Sequence, residues 1–261
     1  MENEEEGIEN GKLRIENEDT ENPNSQFSTL NSQFRDRSRD LERLDTGDYT
    51  PEEYAKWHRE MRFVHGIFGE MRALKRSMFR DASAKNETRI SVLDVGAGSG
   101  GLLRAVKKWT TGIDAFLVGA ELNAEAARTI SENGLLAIRA DALRLPFADD
   151  SFDYVYCSLF LHHLDDRAAF EMVREMSRVA RRKFYVIDLH RHAVAYYLYW
   201  IFSRIFLQRF THEDGSLSIL RSFKPDELRR LGADVGIDEV KVERSLAFRL
   251  VLSGKKRVNR S

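Results

Sequence analysis

The run Ile90 to Gly101, I-S-V-L-D-V-G-A-G-S-G-G, constrains the fold more than any other stretch. Apolar, partly β-branched residues surround an acid, Asp94, and four glycines then fall within six positions. So many residues without a Cβ suit a tight turn whose backbone comes close to a ligand. Residues 102–110 read as a helix, so the glycines sit where a strand hands over to a helix N-terminus. Unpaired N–H groups and a partial positive charge there suit the polar part of a nucleotide-like cofactor.

From Ile90 onward, short apolar runs alternate with helical segments. Strands are expected near 90–95, 115–121, 135–140, 152–158 and 183–189, and helices near 100–110, 123–133, 166–181 and 224–234. That alternation predicts an α/β fold, a mostly parallel sheet with helices on both faces. Asp238 to Ser253 holds two strand-like runs with no helix between, which predicts a C-terminal antiparallel hairpin at or near the sheet edge and makes seven strands.

Upstream, Thr50-Pro51-Glu52-Glu53 is a helix start with Thr as N-cap and Pro at the first turn. The helical lead-in, 50–82, carries Trp57, Met61, Val64, Phe68 and Met71 as an apolar stripe that packing alone explains. Arg62 and His65 lie beside it and are weaker candidates to face a cofactor.

The 261 residues otherwise divide by charge. Residues 1–23 hold nine acids against Lys12 and Arg14, a net of −7, which leaves +6 for the rest of a chain at −1. A body this weakly basic argues against nucleic acid as a partner. Residues 1–40 are read as a disordered, acidic, low-complexity tail with short period-seven repeats, and 41–261 as one domain. The single cysteine, Cys157, excludes an intrachain disulfide. The opening M-E-N-E-E-E has neither a positive nor an apolar signal region, and the expected setting is cytoplasmic.

Residues 96–101 satisfy the dinucleotide fingerprint G-x-G-x-x-G, and Glu121 stands 20 residues past Gly101, where an acid takes ribose hydroxyls. Asp94, two residues before the first glycine, would repel a pyrophosphate but attract an ammonium or sulfonium. S-adenosylmethionine carries both and has no phosphate. Asp141-Ala142 ends the third strand, where a carboxylate can accept from an adenine amino group.

At this point the chain resembles the class I S-adenosylmethionine-dependent methyltransferases, in the branch of ubiquinone and menaquinone biosynthesis. The likeness rests on V-L-D-V-G-A-G-S-G (92–100), G-A-E-L-N (119–123), A-D-A-L-R-L-P-F (140–147), S-F-D-Y-V (151–155) and L-F-L-H-H-L (159–164). D-L-H-R-H-A-V-A-Y-Y (188–197) and D-G-S-L-S-I-L-R-S-F-K-P-D-E-L (214–228) resemble members linked to type III polyketide and phenolic-lipid pathways. Ala97 stands where many relatives have Cys, a position that asks only for a small residue.

The resemblance implies a Rossmann-like methyltransferase fold with a cofactor core at 90–190. Asp94 and the backbone of Gly96, Ala97 and Gly98 would hold the methionine end, Glu121 with Leu122 the ribose, Asp141 and Ala142 the adenine. Ser158 would lie near the transferring methyl. His162, His163 and His190 are the candidate bases, each also readable as structural, and no metal site is expected. A metal set of His190-x-His192 with Asp188 or Asp165 is disfavoured, because alternation at a strand end gives only two facing ligands.

Between 193 and 210 lie seven aromatics in eighteen residues, more than one packed helix usually needs. This segment reads either as a buried helix or as a substrate-cap helix or a face resting on a membrane surface, and the cap reading predicts an aromatic, quinone-like or phenolic-lipid acceptor. An NAD-dependent oxidoreductase and a non-catalytic S-adenosylmethionine-binding protein are the rival classes. Calorimetry with NAD separates the first, and the absence of S-adenosylhomocysteine with any acceptor defines the second. The acceptor atom and the oligomeric state are not readable from the sequence.

Overall fold

The structure, a computed structural model, describes residues 32–84 and 88–255. Seven strands form one sheet: β1 (Arg89–Val95), β2 (Asp114–Glu121), β3 (Leu136–Arg139), β4 (Phe152–Ser158), β5 (Ala180–Leu189), β6 (Asp238–Ser245) and β7 (Arg249–Lys255). Their order across the sheet is β3-β2-β1-β4-β5-β7-β6. The first five run parallel, whereas β7 pairs antiparallel with both β5 and β6. This is the Rossmann-like arrangement expected, with the hairpin's β6 at the edge.

The central strands are apolar because both faces are covered. Along β1, Leu93 and Val95 join a core with Val155, Cys157, Val173 and Met176, while Ile90 and Val92 join the opposite core with Leu103, Val106, Tyr154 and Tyr156. Alternation of the strand's side chains makes the two cores. Gly119 on β2 leaves the gap that Ile130 and Ala97 fill, since a Cβ there would stand 3.0 Å and 3.1 Å from them.

The helices, in order, are α1 (Arg43–Thr46), α2 (Pro51–Phe68), α3 (Glu70–Leu74, a π-turn Lys75–Phe79, then Arg80–Ala84), α4 (Gly101–Trp109), α5 (Ala124–Glu132) and α6 (Asp166–Val179), then α7 (Ala193–Phe206), α8 (Arg209–Arg221) and α9 (Pro225–Asp234). α2 starts as its sequence dictates. Thr50 accepts from the Glu53 N–H at 3.2 Å, and Glu53 accepts from the Thr50 N–H at 2.9 Å.

Three expectations need correction. The helix expected at 166–181 ends at Val179, and β5 begins at Ala180, three residues early. Arg181 and Arg182 each pair with Asp153 of β4 at 3.1 Å, which holds them in the strand. The cap helix expected to span 193–210 stops at Phe206, and a second helix, Arg209–Arg221, folds back on it. At the break, Glu60 accepts from the Gln208 N–H and the Thr211 hydroxyl, and Ser203 bonds to His212 across the hairpin at 2.7 Å. Gly215 is needed there because a Cβ would overlap the Tyr199 hydroxyl.

The third correction concerns the tail. Residues 1–31 lie outside the described residues, but 32–40, read as part of a disordered tail, pack on the domain. Phe34 is buried edge-on against Tyr196, and the Arg37 guanidinium lies 3.8 Å over the Phe223 ring. Buried Arg191 donates to the carbonyls of Phe34 and Arg35 at 3.2 Å each, and to Ser222 at 2.5 Å.

Candidate active site

A cavity of about 900 Å³ opens at the carboxyl ends of β1, β4 and β5, where open α/β sheets bind ligands. Its floor is the glycine turn. Gly96, Gly98 and Gly100 all have positive φ (69°, 52° and 75°), a conformation that costs any other L-residue. At Gly96 there is also no room, since a Cβ would meet the Phe160 ring at 2.8 Å. Gly98 donates its N–H to Glu121 at 2.8 Å, and the other Glu121 oxygen accepts from Asn123 at 2.9 Å. Glu121 thereby fastens the turn to the end of β2.

Asp94 is 2% exposed and accepts from the Tyr156 hydroxyl at 2.8 Å. Burial pushes its carboxyl up to about 8, the Tyr156 hydrogen bond opposes this, and the charges of Glu121 and Glu70 add to it. Asp94, Glu42, Glu70 and Asp214 all line the cavity. A cavity so furnished favours a cationic occupant. Ser158, at the end of β4, lines it too, and its buried hydroxyl has no partner among the described residues. An orphaned buried hydroxyl is uncommon and suits a ligand atom. The next residue, Leu159, adopts φ 52°, strained for a branched side chain at a functional turn.

The histidines divide. His162, on the 3-10 turn Leu161–His163, is buried and its Nδ1 lies 2.6 Å from Asp188 at the end of β5. Asp188 also accepts from the His162 N–H at 2.9 Å. Burial alone would push the Asp188 carboxyl up, but His162 and two backbone N–H groups outweigh it and hold it below its usual range. The Nε2 of His162 stands 4.0 Å from Glu42, whose own carboxyl burial pushes up to about 7. His163 lies 3.1 Å from Asp45. His190 lines the cavity, but burial and then the nearby His192, Arg244, Arg191 and Lys224 charges push it down to about 4. It is neutral at ordinary pH and a weak base.

The metal sets weighed from sequence are not assembled. His192 caps α7 by accepting from Val194, Asp165 caps α6 by accepting from Ala168, and Asp188 is committed to His162. Among the described residues, Glu42, His162 and His163 instead bring three donor atoms within 4.8 Å of one another.

The lead-in stripe walls the cavity instead of packing away from it: Trp57, Met61, Val64 and Met71 line it, with Arg62 beside them. The side chains of His65 and Phe68 lie outside the described residues. From α7, Ala195, Leu198, Tyr199 and Phe202 line the opposite wall. Tyr196 packs on Phe34 instead, and Trp200 is half-exposed. Glu121, Leu122, Asp141 and Ala142 stand at the ends of β2 and β3 and do not line the cavity; there Ala140 donates to the Glu121 carbonyl at 3.1 Å and Asp141 accepts from the Leu143 N–H at 2.9 Å.

Sequence reasoning missed Asp188 as the partner of His162, Glu42 and Asp45 beside the histidines, and two arginines. Arg221 donates to the His162 and His163 carbonyls (3.2 and 2.7 Å) and to Asp45 (2.7 Å). Arg249, 5% exposed, lines the cavity. The available signal was a lone arginine in each of two otherwise uncharged runs, S-I-L-R-S-F and F-R-L-V-L.

Residues 92–183 match the family described as a methyltransferase domain. A demethylmenaquinone methyltransferase of Roseiflexus sp. (strain RS-1) is 37% identical over 93 residues, 34% of this chain and 37% of that protein. An uncharacterized methyltransferase of Bacillus subtilis (strain 168) is 32% identical over 116 residues, 42% of this chain and 44% of that protein. The chain thus spans less than half the length of these curated relatives. The plantazolicin methyltransferase BpumL, solved with S-adenosylhomocysteine, shares the fold with a TM-score of 0.63 at 13% identity, covering 90% of this chain and 99% of that one. The fold is that of Rossmann-like methyltransferases. Residues 92–183, which hold the glycine turn, Asp94, Glu121, Asp141 and Ser158, match a methyltransferase domain, and BpumL, of the same fold, holds S-adenosylhomocysteine, the product left when S-adenosylmethionine gives up its methyl group.

The residues fit that cofactor: a buried acid for an ammonium, a turn in which Gly96 and Gly98 leave the backbone open, and a Ser158 hydroxyl without a partner among the described residues. An ammonium beside Asp94 must lower a carboxyl now near 8, so binding at pH 7 ionises it. S-adenosylhomocysteine binding should release about one proton at pH 7, and affinity should rise between about pH 6 and 7.5. Calorimetry in buffers of different ionisation enthalpy measures this; proton uptake, or a flat pH profile, would contradict it.

Proposed function

We propose that the protein methylates a small aromatic acceptor, quinone-like or phenolic-lipid in type, with His162 as general base. The observation that carries this is the His162–Asp188 pair at 2.6 Å on the wall of the cofactor cavity. When bound, S-adenosylmethionine supplies a methyl group on a sulfonium, open to in-line attack. The chain's residues would then align the acceptor and take its proton. A phenol, with a pKa of about 10, gains from such a base. Asp188 would keep the Nδ1 proton in place and leave Nε2 facing the acceptor. His163 and His190 are the secondary candidates; the low basicity of His190 makes it a neutral hydrogen-bonding group. The apolar walls from α2 and α7 support an aromatic or lipid-like acceptor, and the name of the Roseiflexus relative is consistent with a quinone-type ring.

A screen of phenols, quinones and alkylresorcinol-like lipids with methyl-labelled S-adenosylmethionine tests the reading. With the acceptor found, His162→Gln should lower kcat by about 10²- to 10⁴-fold, and Asp188→Asn should follow in the same direction. Cofactor affinity should stay unchanged in His162→Gln. Undiminished kcat in a folded His162→Gln protein would sink the base assignment. Loss of activity on chelation, restored by a divalent ion, would instead put a metal on Glu42, His162 and His163.

α7 supports a peripheral membrane contact as the route for such an acceptor. Val194, Tyr197, Leu198, Ile201 and Ile205 share one face and are exposed, Ile205 by 67%, and Leu198 also borders the cavity. The helix carries no acid, and Arg204 stacks on Trp200. Among the described residues no helix is long and apolar enough to cross a membrane, so the contact would be in the interface plane. The protein should co-sediment with vesicles of phosphatidylglycerol and phosphatidylcholine, and Ile201→Glu with Ile205→Glu should abolish this while turnover of a water-soluble phenol persists. Equal sedimentation of the double variant would count against it.

A further inference from the structure

The mechanism above leaves one buried cation of the cavity unused. Arg249 begins β7, pairs with Leu189 of β5 and Ser245 of β6, and is 5% exposed. Among the described residues its Nη1 donates to the Ala247 carbonyl at 3.2 Å, and its Nε has no acceptor. A guanidinium has five N–H donors in a rigid fork, and leaving them unsatisfied away from water is costly. The nearby charges are those of Glu70 and Asp188. The side chain lines the same cavity as His162, Ser158 and Asp94.

We infer that Arg249 holds an oxygen of the methyl acceptor, as an ionised hydroxyl, carboxylate or ring carbonyl. The inference rests on reading the cavity as a methyltransferase site and adds to it the acceptor's chemistry. The cofactor's own carboxylate would offer the same chemistry, but its place argues against it. That carboxylate is bonded to the same carbon as the ammonium that Asp94 attracts on β1. Between β1 and β7 stand β4 and β5, so their backbones lie about 14 Å apart at about 4.8 Å per strand. Moving across the sheet from β1, the cavity presents Asp94, then Ser158, then His162 on its Asp188 partner from the end of β5, and last Arg249. Methionine end, methyl and acceptor would follow in that order.

The charge balance makes the same point. Glu42, Glu70, Asp94 and Asp214 line the cavity, so an acceptor that loses its proton to His162 would enter a field of acids. A guanidinium beside the departing proton stabilises the anion and lowers the acceptor's pKa, as charge-assisted forks do. Arg249 would therefore select acceptors that carry an oxygen function over isosteres that lack one.

The test uses 4-nitrophenol, whose anion absorbs in the visible, and nitrobenzene, which lacks the hydroxyl. With the full chain saturated by S-adenosylhomocysteine, wild type should bind 4-nitrophenol at least about tenfold tighter than nitrobenzene and shift it toward its anion. Arg249→Met should erase that preference and the spectral shift, with S-adenosylhomocysteine affinity held within about twofold. Arg249→Lys, which keeps the charge without the fork, should retain part of both and serves if the Met variant does not fold. The inference is overturned if wild type shows no preference, or if either folded variant keeps it in full. Loss of S-adenosylhomocysteine affinity equal to the loss for 4-nitrophenol would also overturn it, by placing the guanidinium on the cofactor. Failure of S-adenosylhomocysteine to bind wild type would remove the cofactor reading itself; binding without an anion preference removes only this inference.

Discussion

The structure depends on one buried carboxylate. Asp94 sits at the end of a strand covered on both faces, with a tyrosine hydroxyl as its partner and two further acids within electrostatic reach. Burying an acid without a cation is unfavourable, and the carboxyl near 8 records that penalty. The penalty is relieved when a cation arrives. On the proposed reading, the glycine turn beside it, the Glu121 clamp and the Ser158 hydroxyl, without a partner among the described residues, all serve that cation.

Around this seat the fold stabilises a second charged assembly. The Leu161–His163 turn is held from behind by Arg221 and by Arg37, which donates to the Leu164 carbonyl at 2.8 Å. Asp214 accepts from the Arg43 and Leu44 N–H groups at 2.9 Å each and so positions α1, which brings Glu42 and Asp45 over the histidines. The segment ahead of α2 therefore shapes the histidine side of the cavity, while β1 and β2 shape the glycine-turn side. Loss of Arg37, which does not line the cavity, would act on His162 through the backbone.

Legibility in the sequence followed locality. The strands from Ile90 to Leu189, the capping box at Thr50 and the glycine turn rest on neighbours within a few positions, and their sequence patterns located them. So did Asp94, whose meaning came from the glycines beside it. Asp188 and His162 are 26 residues apart, Glu42 and Ser218 are 176, and no local pattern joins either pair. The break at Gln208 was hidden because its cause, Glu60, lies on another helix. Phe34 and Arg37 looked like tail residues because their partners, Tyr196 and Phe223, come far later in the chain. The apolar stripe of α2 was visible, but whether it faced a core or a cavity was set by packing.

The most direct measurement of the central claim is S-adenosylmethionine affinity by calorimetry for wild type and Asp94→Ala, with NAD as the comparison ligand. The account predicts that wild type binds S-adenosylmethionine and not NAD, and that Asp94→Ala abolishes binding while the protein stays folded. Retained micromolar affinity in Asp94→Ala, or binding of NAD in preference to S-adenosylmethionine, would contradict it.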